Sequence, residues 1–227
     1  MELNNSSLHH HIMKSIVDQG RAPTINEMGT YFCVDKEGLG SALKELQDYH
    51  GVVLHPHSLE VWVIHPFSTA PTNFWIEAGE KGWWGNCAWC SLGAAALLDR
   101  DLTITTNLGA ENAQIKIEIR NGQIVTKDLF VHFPIPMVQA WDNVVYTCST
   151  MLVFKSENSV EEWCLRHGIK KGDVQPIGKI WEFAKVWYGR HLDEKWVKWT
   201  VDEAREIFQR FGLVSDIWAM PESSGRF

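Results

Sequence analysis

Two cysteines three residues apart are the residues of this chain best suited to chemistry. Cys87 and Cys90 lie in a tryptophan-rich run directly before a small apolar stretch that ends at Leu98. Asn86 is a suitable N-cap, so a buried helix is predicted with both thiols in its first turn. The partial positive charge of a helix N-terminus makes thiols better nucleophiles and better metal ligands. Free cysteines are also among the most buried residues, so a packing role fits the spacing equally well.

Twelve tryptophans in 227 residues predict either a large aromatic core or an apolar cleft. The net charge of −7 argues against a nucleic-acid or anionic-membrane partner. No run of eighteen apolar residues is present, so no membrane span is expected. The first seven residues lack the apolar region of a signal peptide, and five cysteines is an odd number. These features favour a cytoplasmic protein with reduced thiols.

Three helices and a hairpin are predicted for an N-terminal module, residues 1–66. The helices are residues 8–19, one opened by the capping box of Thr24 and Glu27, and one capped by Asp35. The hairpin pairs residues 52–54 with 59–64, which completes the outline of a winged helix. Residues 1–80 hold four Lys and Arg against ten Asp and Glu, so a structural or substrate-covering role is favoured over DNA binding. The histidines at positions 9–11 are interpreted as a solvated helix start rather than a metal-binding tract.

Strands dominate the centre of the second predicted unit, residues 67–227. The alternating runs 102–106 and 114–120 are followed by Asn121-Gly122, which predicts a tight hairpin into 123–126. Further strands are expected at 129–133 and at 143–154, the second of which contains Cys148. Helices are predicted from a capping box at Ser159, over 176–188, and from Thr200 to about residue 212. The fold class is therefore α+β, with mostly antiparallel strands flanked by helices.

With these elements in place, the sequence resembles the alkylmercury lyase (organomercurial lyase) family. The resemblance rests on His65-Pro66-Phe67-Ser68, Pro71-Thr72, Ala88-Trp89-Cys90-Ser91-Leu92, the Cys148 segment and the helix start at 159–163. It implies an enzyme that cleaves a carbon–mercury bond to give a hydrocarbon and Hg(II), without a required cofactor. The substrate would be a small molecule held in a tryptophan-rich cleft.

The resemblance also implies roles for particular residues. The first family cysteine matches Cys90 and the second matches Cys148, which together would bind Hg(II) or another soft metal. Thiolates are soft ligands, and two of them weaken the bond between mercury and carbon by donating electron density. The leaving carbanion must then receive a proton from an acid.

The acid is where this sequence departs from the family. The family's aspartate follows the first cysteine by three residues, and this chain has Gly93 there. Cys87, one turn before Cys90, is the predicted replacement, since a thiol can both bind metal and give a proton. Ser91 and Tyr146 are weaker candidates. Asp99 would lie about 13 Å along the helix axis on the opposite face, which makes it a poor substitute.

Three other interpretations stay open from sequence. Cys90 could be the nucleophile of a different cysteine-dependent lyase, hydrolase or biosynthetic reaction. The three thiols could instead trap a soft metal without catalysis, or Cys87 and Cys90 could form a redox pair. Cys33 and Cys164 are interpreted as packing residues, and His132 as a hydrogen-bonded histidine of the sheet.

Overall fold

The chain begins with three helices whose starts are fixed by side-chain caps. A computed structural model describes residues 2–220 and residue 227. Helices α1 (Asn5–Gln19), α2 (Ile25–Phe32) and α3 (Lys36–Asp48) are capped by Asn4, Thr24 and Asp35. The capping box at Thr24 and the cap at Asp35 are confirmed, whereas α1 begins three residues earlier than predicted. Each cap satisfies a backbone N–H that the first helical turn leaves without a partner.

An antiparallel sheet of eight strands forms the centre of the molecule. Its strands are β1 (Val53–Leu54), β2 (Val61–Ile64), β3 (Phe67–Ser68), β4 (Phe74–Ala78), β5 (Lys81–Gly85), β6 (Leu102–Asn107), β7 (Gln114–Arg120) and β8 (Gln123–Ile124). Their order in the sheet is β1-β2-β3-β5-β4-β6-β7-β8. Both predicted hairpins are present, and Asn121 and Gly122 both have positive φ, as a tight primed turn requires. Because β2 pairs with β3, the sheet continues across residues 66 and 67, and the division into two units at that point stays a prediction.

A smaller sheet and five further helices complete the fold. Strand β9 (Phe130–Phe133) lies between β10 (Val153–Phe154) and β11 (Asp173–Pro176), antiparallel to both. The helices are α4 (Ala88–Leu98), α5 (Val144–Thr150), α6 (Glu157–His167), α7 (Ile177–Tyr188) and α8 (Val201–Arg210). Helices flanking antiparallel sheets confirm the α+β class. Among the described residues, none of the helices has the length and apolarity needed to cross a membrane.

The prediction of a strand over residues 143–154 was wrong. Residues 144–150 form helix α5, and only Val153 and Phe154 are in a strand. The run is rich in β-branched residues, which favour strands. The side chain of Asn143 nevertheless caps a helix by accepting from the backbone N–H of Tyr146. Local propensity is overridden by this cap and by burial of one helical face.

The predicted capping box at Ser159 was also misplaced, by three residues. Ser156 is the N-cap of α6, and its hydroxyl accepts from the backbone N–H of Ser159. Ser159 instead occupies the third helical position, where its hydroxyl pairs back to the Ser156 backbone. Two serines at this spacing satisfy the same reciprocal pattern as a serine and a glutamate, so the helix starts one turn earlier.

Helix α4 is buried on all sides, which explains its almost purely apolar sequence. Every residue from Ala88 to Leu98 except Ala96 is buried. The helix packs against β3, β4 and β5 on one side and against α7 on the other. Trp89 stacks on Phe183 of α7 with ring centroids 4.7 Å apart. Burial of each such aromatic side chain contributes about 2–3 kcal/mol, so the pair fixes α4 and α7 firmly together.

Candidate functional site

The N-terminus of α4 is capped by a thiol. Cys87 has extended backbone angles, and its sulfur accepts the backbone N–H of Cys90 at 3.3 Å. The predicted cap, Asn86, is therefore wrong by one residue. The Asn86 amide is used elsewhere, because it donates to Nε2 of His65 at 3.2 Å. A sulfur in the capping position leaves Cys90 as the cysteine in the first helical turn.

Helix α5 places Cys148 at the N-terminus of α4. The backbone N–H of Ala88 donates to the carbonyl of Met151, just after α5, at 3.1 Å. The Cys87 thiol donates to the sulfur of Met151 at 3.4 Å. These two bonds dock the C-terminal end of α5 onto the start of α4. Cys148 thus reaches Cys90 from a helix, where a strand was predicted.

A histidine completes the group of soft and borderline ligands. One ring nitrogen of His65 and the sulfurs of Cys90 and Cys148 all lie within 4.8 Å of one another. We refer to these three residues as the thiol–imidazole cluster. Metal–sulfur bonds of about 2.3 Å allow atoms at this separation to bind one ion. The cluster therefore has the donor types and spacing of a soft-metal site.

The hydrogen bonds of His65 define its protonation. An amide nitrogen can only donate, so Nε2 of His65 accepts from Asn86 and carries no proton. The same Nε2 lies 3.8 Å from the Cys148 sulfur. Burial lowers the pKa of His65, which keeps the ring neutral. His65 is thus a neutral imidazole beside the Cys148 thiol.

The three cysteines differ in charge state. Burial opposes ionisation of Cys90, but hydrogen bonds from Cys148 and Cys87 outweigh it and bring its pKa well below the usual range. Burial raises the pKa of Cys87, and hydrogen bonds with Cys87 and Cys90 raise that of Cys148. One thiolate shared among three buried sulfurs is the expected state, because a second would meet the first at close range. Cys90 carries that thiolate, at the positive end of α4.

The space beside Gly93 is filled by Tyr188. A Cβ atom at position 93 would lie 2.1 Å from Cδ2 of the Tyr188 ring. Tyr188 is the last residue of α7 and is 3% exposed. Its hydroxyl lies 3.4 Å from the Cys90 sulfur. Absence of a side chain at position 93 is what lets the phenol approach Cys90.

The cluster opens into a cavity of about 70 Å³. Its walls are mainly aromatic, with four tryptophans beyond Trp89: Trp141, Trp187, Trp196 and Trp199. The titratable groups in the walls are basic or neutral: His9, His50, His191, Lys198 and Tyr188 besides the cluster and Cys87. Among the described lining residues there is no Asp or Glu. Room for several water molecules or one small organic group is available here.

The tryptophans form both an aromatic core and an apolar cleft, the two alternatives that composition left open. Trp89 and Trp181 are buried in the core, whereas Trp141 and Trp199 are partly exposed and line the cavity. Lys198 lies with Nζ 4.1 Å from the ring centroid of Trp141, and burial lowers its pKa well below the usual value. The cavity is apolar with basic groups at its wall.

The other predicted candidates lie outside the site. Asp99 is the C-cap of α4, at the far end of that helix, and Tyr146 is 49% exposed. The Ser91 hydroxyl is close by but donates to the Cys87 carbonyl at 2.7 Å. The interpretation of Cys33 as a packing residue was wrong, because it is exposed, whereas Cys164 is buried 3.7 Å from a ring nitrogen of His132. None of these five side chains lines the cavity.

The interpretation of histidines 9–11 as a solvated helix start was wrong for His9. This side chain is 1% exposed and stacks on Trp196 with ring centroids 3.6 Å apart. Burial lowers its pKa well below the usual value. His132 is a hydrogen-bonded sheet histidine as predicted, since its Nε2 contacts the Lys171 carbonyl.

Two site residues were not predicted from sequence. His65 belongs to a segment that was used for the resemblance but interpreted as a connection between units. Tyr188 lies at the end of an unremarkable amphipathic helix, 95 positions after Gly93. No local pattern in the sequence signals that the Tyr188 ring packs against Gly93.

The geometry is that of a thiol site for a soft electrophile, at the start of a buried helix in an α+β fold. The family model for alkylmercury lyase matches residues 67–189, more than half of the 227-residue chain. The chain belongs to the alkylmercury lyase family.

One solved structure shares the fold over most of its length. The mercury-bound form of MerB2 has a TM-score of 0.69 over 83% of this chain and 91% of that chain, at 16% sequence identity. This likeness establishes the architecture. A comparison with curated protein sequences found no match.

Proposed function

We propose that the protein cleaves the carbon–mercury bond of a small organomercury compound, with Cys90 and Cys148 as the mercury ligands. The observation that carries the proposal is the thiol–imidazole cluster, which opens into an aromatic cavity. Membership of the alkylmercury lyase family supports the reaction class. The mercury-bound state of the structural relative MerB2 is consistent with mercury as substrate and product.

The residues suggest an order of events. The Cys90 thiolate binds the mercury of R–Hg–X and displaces the anion X⁻. Cys148 passes its thiol proton to Nε2 of His65 and binds as the second sulfur. Two thiolates place electron density on mercury, so the carbon–mercury bond breaks with its electron pair on carbon. A proton converts that carbon to hydrocarbon, and Hg(II) remains on the two sulfurs.

Cys87 supports this sequence from its capping position. Its sulfur accepts the Cys90 N–H, and its thiol contacts Met151. A raised pKa keeps its proton, so it is also a candidate to deliver that proton or to bind the released metal. Its sulfur is fully buried, however, and lies 3.4 Å from the sulfur of Met151.

The test is hydrocarbon release from phenylmercury by the purified protein in the presence of a small thiol. Benzene is measured by gas chromatography for the wild type and for Cys90→Ser and Cys148→Ser. Both variants are expected to lose release entirely. Cys164→Ser, a buried cysteine outside the cavity, is the matched control and is expected to keep full activity. Full benzene release by both cluster variants would refute the proposal.

Capture of a soft metal without catalysis is the second candidate, and the third ligand His65 favours it. Two sulfurs and one imidazole can hold a thiophilic ion without any carbon–mercury chemistry. This function predicts tight Hg(II) binding and an intact phenylmercury adduct that releases no benzene. The benzene assay therefore separates the two functions.

A further inference from the structure

The Tyr188 ring fills the space beside Gly93, and this packing places its hydroxyl next to the Cys90 sulfur. We propose that the Tyr188 hydroxyl delivers the proton to the carbon that leaves mercury. The inference rests on the proposed carbon–mercury cleavage and names the acid for it. A phenol from α7 then does the work that the family resemblance assigns to a carboxyl group at position 93.

The position of the hydroxyl relative to Cys90 is the first argument. It lies 3.4 Å from the sulfur and faces the cavity. A phenol is a hydrogen-bond donor, and the Cys90 sulfur is an acceptor within its reach. An organic group bound through mercury to that sulfur lies within reach of the same hydrogen. No Asp or Glu side chain is present among the described cavity residues to compete for the role.

The Ser91 hydroxyl and the Cys87 thiol have hydrogen-bond partners of their own. The Ser91 hydroxyl donates to the backbone carbonyl of Cys87 at 2.7 Å. The Cys87 thiol donates to the sulfur of Met151 at 3.4 Å. Tyr188 is the residue whose hydroxyl contacts the Cys90 sulfur.

The ring of Tyr188 is held rigidly for this purpose. It packs at an angle against Trp89, with centroids 5.4 Å apart, and against His191 at 4.9 Å. The third side of the ring is closed by the backbone of α4 at Gly93. A donor fixed by three surfaces needs no reorganisation when the proton moves.

The step balances with the groups present. The O–H bond of Tyr188 breaks, and its proton forms a C–H bond with the electron pair of the broken carbon–mercury bond. The phenolate left behind then takes up the proton that Cys148 transferred to His65. The net change is one thiol proton transferred to carbon and one sulfur–mercury bond gained. No oxidant or reductant is involved.

Tyr188→Phe tests the inference, with Tyr146→Phe as the matched control on the exposed face of α5. The purified proteins are mixed with one equivalent of phenylmercury. Adduct formation is followed by intact-protein mass spectrometry, and benzene release by single-turnover gas chromatography. Tyr188→Phe is expected to form the phenylmercury adduct like the wild type but to release benzene at least about 100-fold more slowly. Tyr146→Phe is expected to match the wild type in both measurements.

Several outcomes would overturn the inference, and they are distinguishable. Benzene release by Tyr188→Phe at the wild-type rate would exclude the phenol as donor while leaving the proposed function intact. Loss of adduct formation together with release would indicate a purely structural role for the ring. Absence of benzene from the wild type would refute the proposed function and the inference together.

Discussion

Gly93→Ala should weaken both the fold and the reaction, against the ordinary effect of this substitution. Inside a helix, alanine is favoured over glycine by about 1 kcal/mol. Here the new Cβ would lie 2.1 Å from Cδ2 and 2.6 Å from Cγ and Cε2 of Tyr188. Carbon atoms in contact normally stay about 3.5–4.0 Å apart, so the ring must move by more than about 1 Å.

The magnitudes follow from this displacement. Overpacking of a buried site costs about 1–3 kcal/mol, which cancels or exceeds the gain in helix propensity. A net destabilisation of up to about 2 kcal/mol is expected. A catalytic group misplaced by about 1 Å costs about 100-fold in rate, so benzene release should fall by that factor.

Urea unfolding and single-turnover benzene release measure the two effects. A Tyr188→Ala background supplies the control, because the obstacle to the new methyl group is gone. In that background Gly93→Ala is expected to stabilise the fold by about 1 kcal/mol. If Gly93→Ala alone were stabilising by this amount and fully active, the close approach of Tyr188 to α4 would be refuted.

Three further predictions concern the cavity and its surroundings. Burial is the main reason that the pKa of His191 falls to about 3, so the unfolded chain, in which His191 has its ordinary pKa of about 6.5, takes up the proton first as pH falls. The stability that neutral His191 contributes is full above pH 6.5 and is lost as pH falls towards 3, with a loss of about 3 kcal/mol at pH 4.5. His191→Asn should therefore reduce the fall of the urea unfolding midpoint at acid pH. An unchanged dependence of the midpoint on pH would contradict the burial of His191. His65→Leu should weaken Hg(II) binding about tenfold in competition with a dithiol chelator, whereas unchanged affinity would remove His65 from the cluster. Maleimide should label exposed Cys33 without loss of benzene release, and inactivation at one label per chain on Cys33 would place it in the site.

Local signals in the sequence predicted much of the framework. The capping box at Thr24 and the turn at Asn121-Gly122 satisfy backbone groups through near neighbours, so their patterns are legible in a few residues. The helix after Cys87 was predicted from small apolar residues and is present to Leu98. The resemblance then singled out Cys90 and Cys148, which lie together in the structure.

Features that depend on distant contacts were not predictable in this way. The β-branched run before Cys148 favours a strand locally, and the Asn143 cap together with packing on the start of α4 makes a helix the better solution. His9 was interpreted as solvated because nothing in its neighbourhood reveals Trp196, 187 positions later. The contact of Tyr188 is also hidden in the sequence, because its partner Gly93 has no side chain from which a contact could be predicted.

The proton donor for the leaving carbon was the part of the site that the sequence predicted least well. The sequence offered Cys87, Ser91 and Asp99 on and around α4, and Tyr146 on the Cys148 segment. The structure supplies a group from α7, across the helix interface. The Tyr188 ring occupies the volume that a side chain at position 93 would need, and such a fit depends on the packed fold.

Isotope incorporation in a single turnover tests the central claim most directly. The protein is mixed with one equivalent of phenylmercury in D₂O, and both the hydrocarbon and the protein-bound metal are analysed. The account predicts one benzene per chain that carries one deuterium, with one Hg(II) retained by the wild type and by Cys164→Ser but not by Cys90→Ser. Recovery of intact phenylmercury from the wild type after displacement by excess thiol would contradict it.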